Sequence, residues 1–322
     1  MEQSKKVKEF SNATIQKTAL DHTKIIQRLA KPSGMIDVVL DTDTYNEIDD
    51  QYALAYLVKS NEKLNLKAIY AAPFTNEKAD TPGEGMEKSY QEIFKVLTLL
   101  GRDDLKKNVY RGAESYMQSE DQPVISDAAK DLAQRAMDYT EEDPLYVVAI
   151  AAITNISSAL TINPEIKNRI VLVWLGGNAA HWPNNREYNL YQDIAGARVV
   201  FGCGVPLVQL PCMGVVSAFR ISGPELETHL RNKNELCNYL IDVTLEQAKN
   251  NYDGLMWSRA IWDVTAVAWL LDGEFMEDCL MHSPIPEYDD RYAFDNTRHM
   301  IKYVYHINRD NLFEDLISKL KR

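Results

Sequence analysis

Apolar residues fall in two rhythms along this chain. Short runs rich in β-branched and aromatic residues, MIDVVL (35–40), LNLKAIYAAPF (64–74), NVYRGA (108–113), PLYVVAIAAI (144–153) and RIVLVWLGGN (169–178), read as strands. Between them lie stretches with helical spacing. After the first run, Ala53, Leu54, Leu57 and Val58 form one stripe; MEKSYQEIFKVLTLLG (86–101) ends on glycine, SDAAKDLAQRAMDYT (126–140) has Ser126 as a cap, and ITNISSALTINPEI (153–166) follows. VVFGCGVPLVQLP (199–211) reads as a further strand region, with helices dominating thereafter. Ahead of all this, Ile15, Leu20, Ile25, Ile26 and Leu29 predict an amphipathic helix over about Ala13 to Leu29, closed by KPSG. Strands that alternate with helices and are apolar on both faces predict an α/β fold, an open, mainly parallel twisted sheet flanked by helices. The expected organisation is an N-terminal extension over residues 1–34 and one α/β domain over 35–322.

Charge narrows the partners. With 47 acidic against 35 basic residues, the formal net charge is −12, which disfavours nucleic acid and anionic membrane and leaves a small molecule as the expected ligand. Cys203, Cys212, Cys237 and Cys279 form no CxxC pair, so reduced core thiols in a cytoplasmic protein are expected. MEQSKKVKEFSNATIQK has no apolar leader segment, and no apolar run reaches membrane-spanning length.

Chemistry concentrates in IDVVLDTDTYNEIDDQYAL (36–54). A strand ends in Asp41 and Asp43, which strand alternation would place on one side, and Asp49 and Asp50 open the next helix, where free N–H groups favour negative charge. Capping and turn bonds explain one or two such acids. Four together call for a cation, because burying carboxylates costs several kcal/mol per ion. Two metal-linked classes begin in this way. In haloacid dehalogenase-type phosphatases a strand-end DxDx(T/V), matched by DTDT at 41–44, supplies Asp41 as nucleophile and Asp43 as acid/base; in nucleoside hydrolases a DxDxxxDD-like cluster binds calcium.

Distant motifs favour the second class. Thr154-Asn155 follows a central strand, Gly176-Gly177 ends another, Glu187-Tyr188-Asn189 comes next, and Asp263 opens the apolar AIWDVTAVAWL segment. Taken in order over about residues 35–280, these resemble the inosine-uridine nucleoside hydrolase superfamily. The resemblance implies a Rossmann-like core and Ca²⁺-dependent hydrolysis of the N-glycosidic bond of ribonucleosides or related N-ribosides, by a homo-oligomer, dimer or tetramer. It also implies that Asp43 is both a calcium ligand and the base for the attacking water. Asp50, Asp263 and the main-chain carbonyl of Ile150 would be further ligands, with Asp41 behind them. Asp49 and Asn189 would hold the ribose 2′ and 3′ hydroxyls, and Glu187 the 5′ hydroxyl. A non-catalytic nucleoside or ribose binder is the third reading.

Departures from the family pattern bear on the aglycone half. The turn Thr44 to Ile48 is two residues longer than usual, which predicts a shift of Asp43 relative to Asp49 and Asp50. Trp262 stands where many members carry a histidine that protonates the leaving base, and an indole cannot do that. Asn178 follows the glycine pair, while His181 lies at the usual separation from Glu187, so Asn178, His181 and Trp262 are the remaining substrate-binding candidates. Each has a plainer reading: His181 as a surface loop residue, and Trp182, Trp257 and Trp262 as packing residues. Tyr252 and Arg259 offer a proton donor and an anchor, or an ordinary helix with a surface arginine.

Overall fold

The computed structural model describes residues 22–251 and 257–322. Its strands are β1 (Ile36–Thr42), β2 (Leu64–Ala71), β3 (Val109–Arg111), β4 (Leu145–Ala149), β5 (Ile170–Leu175), β6 (Leu207–Leu210), β7 (Arg220–Ile221), β8 (Arg259–Ala260), β9 (Met276–His282), β10 (Ile285–Pro286), β11 (Tyr292–Ala293) and β12 (Met300–Ile307). Its α-helices are α1 (His22–Arg28), α2 (Asp49–Lys59), α3 (Pro82–Leu99), α4 (Asp127–Arg135), α5 (Thr154–Ile162), α6 (Tyr188–Gln192), α7 (Ile194–Gly202), α8 (Gly223–Leu230), α9 (Glu235–Asn251), α10 (Val264–Trp269) and α11 (Arg309–Leu320).

Eight strands form one sheet in the order β3-β2-β1-β4-β5-β6-β12-β9, every neighbouring pair parallel except the last. β4 and β5 are buried along their whole length, as strands covered on both faces must be. Alternate residues feed two cores. Leu40, Val148 and Val173 pack with Leu54, Leu57, Trp269 and Leu316 on one face. Val39, Val147 and Leu172 pack with Leu132, Ile156 and Phe201 on the other. The strand order reverses between β1 and β4, and in open α/β sheets the cleft outside the strand ends at such a reversal is where ligands bind.

Local chemistry ends the elements where expected. The Ser126 hydroxyl accepts from Ala129 N at 3.1 Å to start α4. Gly101, just beyond α3, has φ +67°, a conformation that a side chain disfavours.

Three expectations change. The helices of the C-terminal third are joined by unexpected strands, of which β9 and β12 form a long antiparallel pair that extends the sheet. In β12 the buried positions Ile301, Tyr303, Val304 and Ile307 are interleaved with polar ones, a strand pattern that Lys302 and His306 obscure. The expected strand region at 199–211 divides: Val199 to Gly202 complete α7, and only Leu207–Leu210 join the sheet. Cys279 sits exposed on the edge strand β9, whereas Cys203, Cys212 and Cys237 are buried.

The portion of the expected N-terminal helix before residue 22 lies outside the described residues; α1 is its visible end. Ile25 and Leu29 enter the core, and Arg28 Nη2 donates to Ile170 O (2.6 Å) and Lys167 O (3.4 Å), tying α1 to the amino end of β5. A bond to a charged donor contributes roughly 1.5–3 kcal/mol. Replacing Arg28 by alanine is therefore expected to lower stability by about that amount, read as a lower urea midpoint; an unchanged midpoint would show that α1 does not fasten the sheet.

Candidate active site

The acidic turn grows directly out of β1. The Asn46 N–H donates to Asp43 O at 2.7 Å, which closes a turn immediately after the strand. Because β1 ends at Thr42, strand alternation does not carry through to Asp43, and Asp41 and Asp43 find separate partners. Asp41 is fully buried, and its Oδ1 accepts from Asn155 Nδ2 at 2.8 Å. Its Oδ2 has no partner among the described residues. The Asn155 bond ties Asp41 to the start of α5, behind the turn. Asp43 is buried too, and its Oδ2 accepts from Asn46 Nδ2 at 3.0 Å.

Asp49 and Asp50 occupy the first turn of α2, without a side-chain cap, so their carboxylates stay available. Thr42 Oγ1, at the last position of β1, donates to Asp50 Oδ1. Asp263, immediately before α10, comes from more than two hundred residues away to complete a buried set: one carboxylate oxygen from each of Asp49, Asp50 and Asp263 lies within 4.8 Å of the others. Asp43 stands outside that tight set but close enough for the charges of Asp50 and Asp49 to act on it. Ile150, just past β4, donates its N–H to Asp41 O at 2.9 Å, so its peptide adjoins the acidic turn across the strand reversal.

Burial and mutual repulsion dominate the electrostatics. Burial, opposed by the Asn155 bond and reinforced by the Asp50 charge, pushes Asp41 up to about 7. Burial and the Asp49 charge push Asp50 up to about 7 against the bonds from Thr42 and Asp263. Asp43 and Asp263 are held well above the usual carboxylate range for the same reasons, burial first and neighbouring aspartates second. A guanidinium reaches into the group. Arg259, on β8, is buried, donates to Glu47 Oε2 at 2.6 Å and lies 3.6 Å from Asp49 Oδ1. This overturns its reading as a surface arginine. Tyr252, its suggested companion, lies outside the described residues.

The second half of the cleft is built at the end of β5. Gly177 has φ +75°, and a Cβ there would run into the Tyr292 hydroxyl. Its N–H donates to Glu187 Oε2 at 2.8 Å; Leu190 N donates to the same oxygen at 2.9 Å and Asn189 N to Oε1 at 3.0 Å. Glu187 thus caps α6, and burial still raises its pKa. Asn189 Nδ2 donates to Leu175 O at 3.0 Å, which ties α6 to the strand end. The Asn178 amide joins its own loop to the one after β6, Nδ2 donating to Asn184 O (3.1 Å) and Oδ1 accepting from Met213 N (3.1 Å). His181 and Trp182 are exposed, and Trp262 is partly buried against the core that covers α2.

Several supporting roles escaped the sequence reading. Asn155 accepts from Ala113 N (2.8 Å) while it holds Asp41, and a Cβ at Gly112 would collide with both the Ala71 carbonyl and that amide. Asp193 Oδ2 accepts from Thr154 Oγ1 (2.6 Å), and its Oδ1 from Gly196 N (2.7 Å). Its place just before an apolar helix was a capping signal that could have been read. Tyr188 donates to Thr75 O (2.8 Å), and its phenol pKa is raised by burial and then by the Asp43 charge.

With this geometry in hand, comparison with known proteins is direct. The family model described as inosine-uridine preferring nucleoside hydrolase matches residues 38–314. A pyrimidine-specific ribonucleoside hydrolase, RihA of Escherichia coli O1:K1, is 26% identical over 264 residues, 74% of this chain and 80% of its own length. Among solved structures, a purine-preferring ribonucleoside hydrolase from Gardnerella vaginalis superposes with TM-score 0.72 at 19% identity, covering 88% of this chain and 98% of its own. A plant nucleoside hydrolase does so with TM-score 0.71 at 19% identity, over 90% and 99%. At such identities the two structures establish the fold.

The raised carboxyls set a pH dependence. Asp41 and Asp50 keep their protons in the folded state up to about 7, whereas the ordinary value is 3.8, so between those limits the folded state binds more protons than the unfolded one. Stability of the ion-free protein is expected to fall as pH rises through that window, and a bound divalent cation is expected to flatten the fall. Melting temperatures in chelator and in excess calcium, from pH 4.5 to 8, check this; ion-free stability that rises with pH would contradict it.

Proposed function

The chain belongs to the inosine-uridine preferring nucleoside hydrolase family, glycosidases that cleave the N-glycosidic bond of ribonucleosides, and from that premise we propose that it does so with calcium and with Asp43 as the base. The observation that carries this reading is the buried oxygen-only set Asp49, Asp50 and Asp263 beside Asp43. Carboxylates without any nitrogen or sulfur donor suit a hard cation, and the protons that burial forces onto Asp43, Asp50 and Asp263 are what such an ion would displace. Asp43, Asp50, Asp263 and the Ile150 carbonyl hold it in this reading. When bound, the ion supplies positive charge that keeps these acids ionised, and coordination positions for water and a sugar diol.

The remaining work falls to the chain's own groups. Asp43 takes a proton from the attacking water as the glycosidic bond breaks. The surrounding carboxylates favour the positive charge that develops on the ribosyl ring. Asp49, steadied by Arg259, and Asn189 hold the 2′ and 3′ hydroxyls. Glu187 Oε1 accepts from one backbone N–H and so retains capacity for the 5′ hydroxyl. Asn178 serves that end by fixing the Gly177 loop, with His181 at its rim. Trp262 offers the aglycone a flat apolar surface and no proton. The same reading places the enzyme in nucleoside salvage, in the cytoplasm, as a dimer or tetramer.

Purified protein with Ca²⁺ is expected to release reducing sugar from at least one member of a panel of purine and pyrimidine ribonucleosides. Asp43→Ala is expected to lower kcat by about 10²–10⁴-fold, the usual worth of a positioned base. Sugar release that survives this substitution would remove Asp43 from the mechanism. Thermal stabilisation by nucleosides without turnover would identify a binder.

A further inference from the structure

The lengthened turn is fixed at more points than a connection requires. Asn46 is 7% exposed, and every one of its polar groups is used. Its N–H and its side-chain Nδ2 both donate to Asp43, to the carbonyl at 2.7 Å and to carboxylate Oδ2 at 3.0 Å. Its Oδ1 accepts from Asn76 Nδ2 at 2.8 Å, and its main-chain carbonyl accepts from Lys78 Nζ at 2.7 Å. Asn76 is itself held, its Oδ1 accepting from Lys78 N at 2.7 Å and its backbone pairing with Ala79 through two 3.1 Å bonds. A chain of bonds therefore runs from the β2–α3 loop, through two side-chain amides, to one oxygen of Asp43.

We propose that Asn46 is a positioning residue for Asp43, with Asn76 as its support, so that the enlarged turn aims one carboxylate oxygen at the reaction. The inference rests on the role given to Asp43 above. A carboxylate can only accept, so the amide must present its nitrogen; the Asn76 donor on the far side enforces that orientation. Asp43 needs this hold because Asp41, Glu47, Asp49 and Asp50 all act on it as like charges. Bonding at Oδ2 resists their push and leaves Oδ1 to the water and the ion. Hydrogen bonds to ligating carboxylates are typically worth about 10–100-fold in metal affinity or activity.

The test is calcium titration of the chelator-treated protein by calorimetry, alongside steady-state kinetics. Asn46→Ala is expected to weaken calcium binding about 10–100-fold and to lower kcat by a similar factor, with KM changed less than about twofold because other residues hold the sugar. Asn46→Asp, which keeps the shape and sets acceptor against acceptor, is expected to lose at least as much. Asn76→Ala should lose less in the same direction. Adding Asn46→Ala to Asp43→Ala should cost no further calcium affinity. Circular dichroism of the ion-free variants checks that they fold, with Asn76→Ala carrying the test if Asn46→Ala does not. Undiminished calcium affinity in Asn46→Asp and Asn76→Ala, in a protein where Asp43→Ala does weaken it, overturns the inference alone. Unchanged affinity in Asp43→Ala removes the calcium role of Asp43, and the inference falls with it.

Discussion

Keeping several carboxylates buried side by side is the constraint around which this cleft is built. Each would cost several kcal/mol if left bare. The protein answers acid by acid: Asn155 for Asp41, Thr42 for Asp50, Asn46 for Asp43, Arg259 for Asp49, and three backbone N–H groups for Glu187. Most of these partners are neutral donors, which orient an acid without cancelling its charge. Burial first, and uncancelled neighbouring charge second, raises the pKa values of Asp41, Asp43, Asp50 and Asp263 and leaves the site receptive to a cation.

Sheet topology makes that gathering possible. At the reversal between β1 and β4 the loops that follow the two strands turn to opposite faces, opening space at their ends. The turn after β1, the peptide after β4 and the loop after β5 meet there, and α10 delivers Asp263 against α2. The two-stranded ribbon of β7 and β8 carries Arg259 to the same place, so residues far apart in sequence share one small volume.

Much of this was legible from residue order, for identifiable reasons. Parallel strands buried on both faces write themselves as apolar runs, and acids at strand ends stand out against them. What stayed hidden is long-range. β12 mixes Lys302 and His306 with its buried residues, so its pairing with β9 shows only once the sheet is assembled. Arg259 is a lone charge among mostly apolar neighbours, and only the arrival of Glu47 and Asp49 beside it gives its burial a compensation. The shared alternation expected of Asp41 and Asp43 failed because the turn closes one residue after the strand. The length of that turn was visible; that Asn46 spans from Asp43 to Asn76 was not, since a side-chain amide has no pattern of its own.

The meeting of Gly177 with Tyr292 ties the two ends of the chain's history together. The phenol sits where any side chain at 177 would have to go, and Gln209 donates to its oxygen at 2.9 Å from the next strand. These three positions can change only as a group. A homologue with a larger residue after its β5 should lack a bulky ring at the position of Tyr292 in the antiparallel β10–β11 pair, and a chimera that exchanges this pair between relatives would inherit half of a lock without its key.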